Sequence, residues 1–451
     1  MPPNNFSIVV DWAQTERADA HPEDYCIGEL NVTADGAPLA KNKDRELGNE
    51  KECALVSALP FARWAASSFW RILYEPGPLN DQPAPVWWRM AHEMTSIGEG
   101  WAWPHIAFTS DTCQVRIIAH GQSEVDSSWQ RARYTASGEW YIPLPEMREG
   151  LRNFITEVKD RLSEAGRAPE ITDELNERLA EDRDDGARNY RIIEAMLGYD
   201  PGYGPAPLMR KFCDLAERRV DMAILMEIAG GLNPLAGLER NDQFSGLERA
   251  YSSMKSGVKA TLKLPHISRP SAREPWDYGQ QLARDLRRQY GLSCTEGIDQ
   301  KCLLDFFRLT RSQFQRVPSA GAVSLCKKYN DRLSISFKSM RSCSSFYMEQ
   351  RRFQLGRILG AYLASAPHAK WLALSDGSTW EQQMQRNFAC EFLAPLDGIL
   401  AMIPTEPNDL SLTQVQKIAK HFEVTPFTLI NSLMNNHKMD RESAERLLKA
   451  A

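Results

Sequence analysis

Two segments in the last third of the chain repeat apolar residues with the period of an α-helix. In the first segment the spacing is i, i+3, i+4, i+7, i+8, and the residues are Leu355, Ile358, Leu359, Tyr362 and Leu363. In the second segment every fourth residue is apolar, at Met384, Phe388 and Phe392. Residues with these spacings share one side of a helix, so the sequence predicts two helices that each bury one face in a core.

Shorter patterns surround these helices. Alternating apolar and polar residues predict strands at 321 to 326 and at 333 to 337, on either side of a turn at 329 to 331. Residues 413 to 434 have the pattern of a helical hairpin, with a turn at residues 424 to 426. This end of the chain is therefore predicted to be rich in helices, with a small antiparallel sheet.

The first third of the chain predicts a different arrangement. Its strand candidates are residues 8 to 12, 26 to 32, 106 to 108 and 114 to 118, and a helix is predicted between about residues 60 and 74. Residues 146 to 232 have helix periodicity, interrupted by a charged run at 177 to 185, predicted to be solvated, and by a turn-rich break at 200 to 207. The predicted fold class is α+β, with an antiparallel sheet in the N-terminal region.

Composition divides the chain further. Nine of the twelve tryptophans precede residue 145, and prolines at 234, 265, 270 and 275 interrupt the segment after the helical region. The predicted division is a Trp-rich α+β domain at 1 to 145, a helical region at 146 to 232, a joint at 233 to 274, and a C-terminal domain at 275 to 451.

The overall charge excludes a strong general attraction to nucleic acid or to acidic membranes. The 451 residues have a net charge of −5, with 43% hydrophobic and 25% charged residues. No apolar stretch approaches the length of a membrane span, and the polar start of the chain lacks the layout of a signal peptide, which predicts a cytoplasmic protein. Nine cysteines without a CxxC pair indicate reduced thiols rather than a disulfide framework.

The first helix segment also resembles a zinc-peptidase motif. Residues 351 to 363 read RRFQLGRILGAYL, which resembles RRFTLAHELGHYLL of the ImmA/IrrE family. In that family the HELGH core supplies two zinc-binding histidines, one turn apart on one helix face, and a glutamate base. The corresponding positions here hold Arg357, Ala361 and, in place of the glutamate, Ile358.

The second helix segment is similar to the family's third-ligand helix. Residues 381 to 395 read EQQMQRNFACEFLAP, against EREANRFAAELLMP in the family, which places the acidic ligand positions at Gln382 and Met384. With residues 276 to 287, the predicted hairpin and residues 412 to 429, the resemblance covers about residues 275 to 440. It implies a zincin-like fold, but none of the metal ligands is present, so no metal, cofactor or catalytic residue is predicted.

The leading functional hypothesis is a catalytically inactive, ImmA/IrrE-like module with a regulatory or recognition role in a bacterial stress, mobile-element or phage-defence system. The resemblance implies another protein as the partner: a repressor, a toxin or a phage component. An extended peptide would bind to an edge of the sheet, and Arg357 would offer a charged partner to a carboxylate or phosphate.

Two alternatives remain open at this stage. The hairpin at 413 to 434 predicts a DNA-binding transcriptional regulator, in which Lys417 and Lys420 contact the nucleic acid. The second alternative is a metallo-endopeptidase with a non-standard zinc site, in which Glu381 or Glu391 would bind the metal together with His368.

Other candidates lie in the N-terminal region. The sequence His92-Glu93 begins like HExxH but lacks the second histidine, so we predict a pair on a helix surface, while convergence of Glu93 with His105 and His120 stays open. A cluster of tryptophans predicts core packing, with a stacking platform as the alternative; its members are Trp87, Trp88, Trp101, Trp103 and Trp140.

Overall fold

The computed structural model describes residues 5–14, 21–46, 48–78, 84–123, 132–166, 168–218, 220–253, 257–264, 267–319, 321–339 and 345–450. Trp129, Cys343 and Pro265 lie outside the described residues. The protein has 52% of its residues in helices and 17% in strands, and its sheets are small and antiparallel. The predicted α+β class is confirmed.

The chain forms two compact units. The first is Met1–Cys213 with Asn233–Leu235, and the second is Asp214–Leu232 with Ala236–Ala451. This division differs from the one predicted by composition. The helices after residue 145 join the N-terminal sheets in one unit, because the apolar face of the first long helix there packs on residues 58–74 and on the first strand.

Three antiparallel sheets belong to the first unit. Their strands are β1 (Phe6–Trp12), β2 (Ile27–Ala34), β3 (Ala37–Pro38), β4 (Asn42–Asp44), β5 (Glu50–Lys51), β6 (Ala54–Ser57), β7 (Ile106–Ser110), β8 (Gln114–Ala119), β9 (Ala132–Tyr134) and β10 (Gly138–Pro143). The strand orders are β1-β2-β3 with β6 also on β2, β10-β8-β7, and β5-β4-β9. All four strands predicted in this region are present.

The helices from this part of the chain are α1 (Pro22–Tyr25), α2 (Ala58–Tyr74), α3 (Val86–His92), α4 (Leu144–Glu164), α5 (Pro169–Glu181), α6 (Asp185–Met196) and α7 (Ala206–Glu217). Phe61 of α2 and Phe154 of α4 meet at the centre of the core, with ring centroids 4.6 Å apart. Asp182, in the charged run predicted to be solvated, is instead buried, because it accepts a hydrogen bond of 3.1 Å from Arg148 Nε.

The second unit surrounds a four-stranded antiparallel sheet. Its strands are β11 (Val258–Thr261), β12 (Ser324–Tyr329), β13 (Arg332–Ser336) and β14 (Trp371–Leu374), in the order β11-β13-β12-β14. The predicted hairpin is β12 and β13, turning at Asn330, which has a φ of 52°. Strand β11 lies within the segment predicted to be a joint, because the prolines that suggested a joint flank a short apolar run.

The helices of the second unit are α8 (Met222–Leu232), α9 (Gln243–Ser253), α10 (Pro275–Gln289), α11 (Gln300–Phe306), α12 (Arg311–Gln315), α13 (Tyr347–Ala364), α14 (Trp380–Leu393), α15 (Leu396–Met402), α16 (Leu412–His421), α17 (Pro426–Asn435) and α18 (Arg441–Ala450). Helices α13 and α14 are the two predicted from periodicity, and both pack with α10. Gly279 lets α10 and α14 lie close together, because a Cβ at this position would collide with the Met384 carbonyl oxygen on α14.

Within the described residues, no helix combines the length and the apolar character that crossing a membrane requires.

Candidate functional site

Arg357 lies in the middle of α13, and its side chain is almost completely buried. Only 1% of Arg357 is exposed, because α13 is covered on most of its circumference. Its Nη2 donates to the Ser375 carbonyl oxygen at 2.8 Å and to Gln382 Oε1 at 2.5 Å. A charged group buried this deeply is stabilised only if acceptors surround it, and these two supply that environment.

Gln382 is held in place by the first turn of α14. Thr379 caps this helix, and its Oγ1 accepts a hydrogen bond of 3.3 Å from the Gln382 backbone N–H. The side-chain Oε1 accepts from Arg357 and from the Ser375 N–H at 2.8 Å, while Nε2 donates to the Ala373 carbonyl at 3.0 Å. These contacts fix the orientation of the amide, so its second N–H is directed towards one further acceptor.

That acceptor is Glu227, which reaches the cluster from α8. Glu227 Oε2 accepts from Gln382 Nε2 at 2.7 Å and from Thr379 Oγ1 at 2.9 Å, and the residue is 6% exposed. The close packing of α8 against Ser375 requires Gly231, because a Cβ at this position would lie 2.5 Å from the Ser375 Cβ. We call Glu227, Arg357, Gln382, Thr379 and Ser375 the buried polar cluster.

The sequence around Glu227 indicates a buried polar contact, although no motif includes this residue. Helix α8 reads MAILMEIAGGL, in which a single acidic residue interrupts an apolar run and two glycines follow. A lone carboxylate on a buried helix requires a polar partner inside the protein. The partner itself was not predictable, since Gln382 lies 155 residues further along the chain.

Burial perturbs both charged members of the cluster. The pKa of Glu227 is raised to about 7, first by burial and then by the charge of Glu381. The hydrogen bonds from Thr379 and Gln382 and the charge of Arg357 act in the opposite direction. Burial and the nearby Arg386 lower the pKa of Arg357 to about 9. At neutral pH Arg357 therefore remains a cation, and Glu227 exchanges a proton close to neutrality.

Three further charges lie beside the cluster. Lys338 Nζ pairs with Asp376, and Arg386 Nη1 donates to the Gly377 carbonyl at 2.9 Å. Burial opposes ionisation of Asp376, but Lys338 and the charges of Arg357 and Arg386 outweigh it and hold the pKa of that carboxyl below its usual value. The surroundings of Arg357 thus contain two further cations, Lys338 and Arg386, together with the carboxyl groups of Asp376 and Glu227.

The five positions that the resemblance aligns with metal ligands and with the glutamate base fall into two groups. Arg357 and Gln382 are in direct contact within the cluster, whereas Ile358 and Ala361 belong to the apolar core of the second unit. Met384 is fully buried beneath α10, beside Gly279. Ile358, Ala361 and Met384 therefore contribute packing, and the polar chemistry of the five positions belongs to Arg357 and Gln382.

The two arginines that open the first motif are structural. Arg351 Nη2 donates to the Val317 carbonyl at 3.1 Å, and Arg352 Nη1 donates to the Glu423 carbonyl at 2.9 Å. Both side chains are buried, and each fastens a loop to α13. Because guanidinium donors satisfy carbonyl groups that would otherwise be buried without a partner, these residues support the fold rather than a binding site.

The residues of the proposed non-standard zinc site do not form a metal-binding group. His368 is exposed, and Glu391 is occupied by Arg284 Nε at 2.8 Å and by the Leu396 N–H at 3.2 Å. Across the residues that the structure describes, no set of three or more His, Cys, Asp and Glu side chains is arranged to hold a metal ion.

The C-terminal hairpin presents its two lysines to solvent. Lys417 and Lys420 are exposed on α16. Helix α17 is largely buried, and its exposed positions are Phe427, at 60% exposure, and Asn435. A recognition helix needs an accessible polar or basic face for a DNA groove, and α17 contains no lysine or arginine.

In the first unit, His92 is not on a helix surface as predicted. It is completely buried against Trp88, whose ring is stacked 4.1 Å away. His92 Nδ1 lies 2.9 Å from the Phe108 carbonyl oxygen, and Nε2 lies 3.0 Å from Glu75 Oε2. Both neighbours are hydrogen-bond acceptors. A proton on Nδ1 is therefore needed for the contact with the carbonyl, and a second proton, on either Nε2 or the Glu75 carboxyl, is needed for the other contact.

Two neighbouring groups favour the ionised form of Glu75. Burial opposes ionisation of Glu75, but Arg71, which donates from Nε at 2.6 Å, and His92 hold the pKa of Glu75 below its usual value. His105 and His120 are exposed. No metal-binding group includes them within the described residues.

Among the tryptophans of the first unit, Trp88 and Trp103 are in the core, as predicted, while Trp87, Trp101 and Trp140 are half-buried.

Comparisons of the chain with models of protein families, with curated proteins and with solved structures give no match.

Proposed function

We propose that the second unit is a catalytically inactive, metallopeptidase-like module that recognises a protein partner. The observation that carries the proposal is the buried hydrogen bond between Arg357 and Gln382. These residues stand at two of the positions that the resemblance to the ImmA/IrrE family assigns to metal ligands. In this proposal a fixed guanidinium charge takes the place that a metal ion has in the family.

The chemistry of the cluster favours binding over hydrolysis. Zinc activates a water molecule by coordinating it and lowering its pKa to about 7. A guanidinium donates hydrogen bonds but has no position for a water ligand. The family's general base is also missing, because Ile358 occupies its position and is fully buried.

The partner class follows from the resemblance and from the sheet. We propose a repressor, a toxin or a phage component, acting with this protein in the cytoplasm of a bacterium during stress, mobile-element induction or phage defence. In strand order β14 is at an edge of its sheet. The Ala373 carbonyl of this strand already accepts hydrogen bonds from Gln382 and Gln385, so in this proposal an extended segment of the partner pairs with the strand's other backbone groups.

Metal analysis of the purified chain by mass spectrometry tests this proposal. We expect far less than about one zinc ion per chain, since the ligand set that a catalytic zinc requires is absent. Stoichiometric zinc that is lost on Arg357→Ala or Glu391→Ala would contradict the proposal and favour the non-standard metallo-endopeptidase. The exposed Glu442→Gln variant is the control for loss of a single charge.

The transcriptional-regulator alternative has one supporting observation, the exposure of Lys417 and Lys420 on α16. It predicts salt-sensitive binding of duplex DNA that weakens when both lysines are neutralised. We place it second, because the exposed positions of α17 lack the basic residues of a groove-binding helix.

A further inference from the structure

One face of the four-stranded sheet in the second unit has an open, basic end. Residues directly opposite each other in neighbouring antiparallel strands project to the same face. By register, the first row across β11, β13, β12 and β14 consists of Lys259, Ser334, Lys327 and Trp371. The next row, closer to the hairpin turn, consists of Thr261, Arg332 and Tyr329.

The remaining surfaces of this sheet are covered. The opposite face, with Ala260, Leu333, Cys326 and Leu372, is part of the apolar core. On the basic face, the row that contains Leu325 lies under apolar side chains of α8 and α9; with Leu325 and Trp371, the residues that line this small apolar space include Ile224, Ile228 and Leu247. The accessible part of the face is therefore the end near the β12–β13 turn.

The charged residues within the four strands have one sign. The four strands contain no aspartate or glutamate, and Asp331, in the turn, is the acidic residue nearest to them in the sequence. Lys259, Lys327 and Arg332 are exposed, and in the described part of the chain none of them forms an ion pair. Three unpaired cations on one face, in a protein of net charge −5, form a local site for a polyanion.

Aromatic groups accompany the cations. Tyr329 is 73% exposed, in the same row as Arg332. Lys327 Nζ lies 5.2 Å from the ring centroid of Trp371, so the ammonium group is held above the sheet. Lys259 and Lys327 are two strands apart, a separation of roughly 10 Å across the sheet. An exposed aromatic ring among spaced cations is the arrangement that binds unstacked bases and their phosphates.

We propose that this face binds single-stranded nucleic acid, with Lys259, Lys327 and Arg332 on the phosphates and Tyr329 stacked on a base. An acidic peptide would satisfy the cations but would give the exposed ring of Tyr329 no partner. A duplex keeps its bases stacked on one another and has none available for Tyr329. The proposal is independent of the role of Arg357, because it rests on a different set of residues.

Fluorescence anisotropy with labelled oligo(dT) and oligo(rU) of about 20 nucleotides tests the proposal on the full chain. We expect binding that weakens roughly twentyfold between about 50 and 200 mM NaCl, the change that three phosphate contacts give on a single strand. The variant Lys259→Gln/Lys327→Gln/Arg332→Gln is expected to lose this binding and its salt dependence. Tyr329→Ala is expected to bind about tenfold more weakly, and Tyr329→Phe as tightly as the native chain.

The matched control is Lys301→Gln/Lys449→Gln, which removes exposed lysines from α11 and α18 and is expected to leave the binding unchanged. Circular dichroism of each variant establishes that the fold is intact. Three results would overturn the proposal: retained binding in the triple variant, an equal loss in the control, or a labelled poly-glutamate that binds as tightly as the oligonucleotides and is unaffected by Tyr329→Ala. The last result would assign the face to an acidic peptide.

Discussion

Replacement of Arg357 by methionine is expected to lower the free energy of unfolding of the second unit by about 3 kcal/mol or more. Methionine retains most of the side-chain volume but removes every hydrogen-bond donor. The Ser375 carbonyl loses the hydrogen bond from Arg357, and Glu227 loses the charge that favours its ionised form. The large effect arises because polar groups remain buried after their partner is removed.

A second substitution separates this explanation from a loss of packing. In the double variant Arg357→Met/Glu227→Gln the buried carboxylate is also neutral, so part of the lost stability should return. Arg288→Met is the control, because Arg288 is highly exposed on α10 and its replacement should change the stability by less than about 0.5 kcal/mol. Urea-induced unfolding measures the stabilities of the variants. Hydrogen exchange in α13 and α14 shows that the unfolding transition belongs to the second unit. An Arg357→Met variant as stable as the native chain would show that the cluster does not depend on the guanidinium.

Glu227→Gln is expected to stabilise the second unit at alkaline pH and to have little effect at acidic pH. The pKa of Glu227 is about 7 in the folded protein, against 4.5 for an ordinary glutamate side chain. Between these values the folded chain retains a proton that the unfolded chain releases, so stability falls as pH rises from about 4.5 through 7. Glutamine imitates the protonated form at every pH, and its Oε1 accepts the same two hydrogen bonds.

The size of the effect follows from the difference between the two pKa values. It amounts to about 3 kcal/mol above pH 8 and approaches zero near pH 4.5. Unfolding curves of the native chain and of Glu227→Gln at a series of pH values measure it directly. The exposed Glu442→Gln serves as the control and should change the stability by less than about 0.5 kcal/mol at every pH. A difference between Glu227→Gln and the native chain that does not vary with pH would refute the proton exchange assigned to Glu227.

The elements of the fold were predictable where the pattern is local. Helices α13 and α14 follow from apolar residues three and four positions apart, and the β12–β13 hairpin follows from alternation and a turn centred on Asn330. These patterns depend on neighbours within a few residues of one another, and periodicity records that information.

The buried polar cluster depends on contacts that periodicity does not record. Arg357 and Gln382 could be singled out from their motif positions, but their contact with each other and with α8 arises from tertiary packing. The error at His92 has the same origin: a His-Glu pair in a short segment does not reveal that Trp88, Glu75 and Phe108 enclose the ring. Strand β11 was predicted to belong to a joint because prolines are frequent in this segment. Its four residues are too few to predict from sequence their pairing with β13.

Introducing metal ligands tests the central claim most directly, because it examines whether Arg357, Ala361 and Gln382 stand at metal-ligand positions. The variant Arg357→His/Ala361→His/Gln382→Glu places two imidazoles one helical turn apart with a carboxylate from α14, and Ile358 remains as the core residue that it is. After equilibration with zinc and dialysis, mass spectrometry should find about one zinc ion per chain in this variant and far less in the native chain. A folded variant that retains no more zinc than the native chain would contradict the claim.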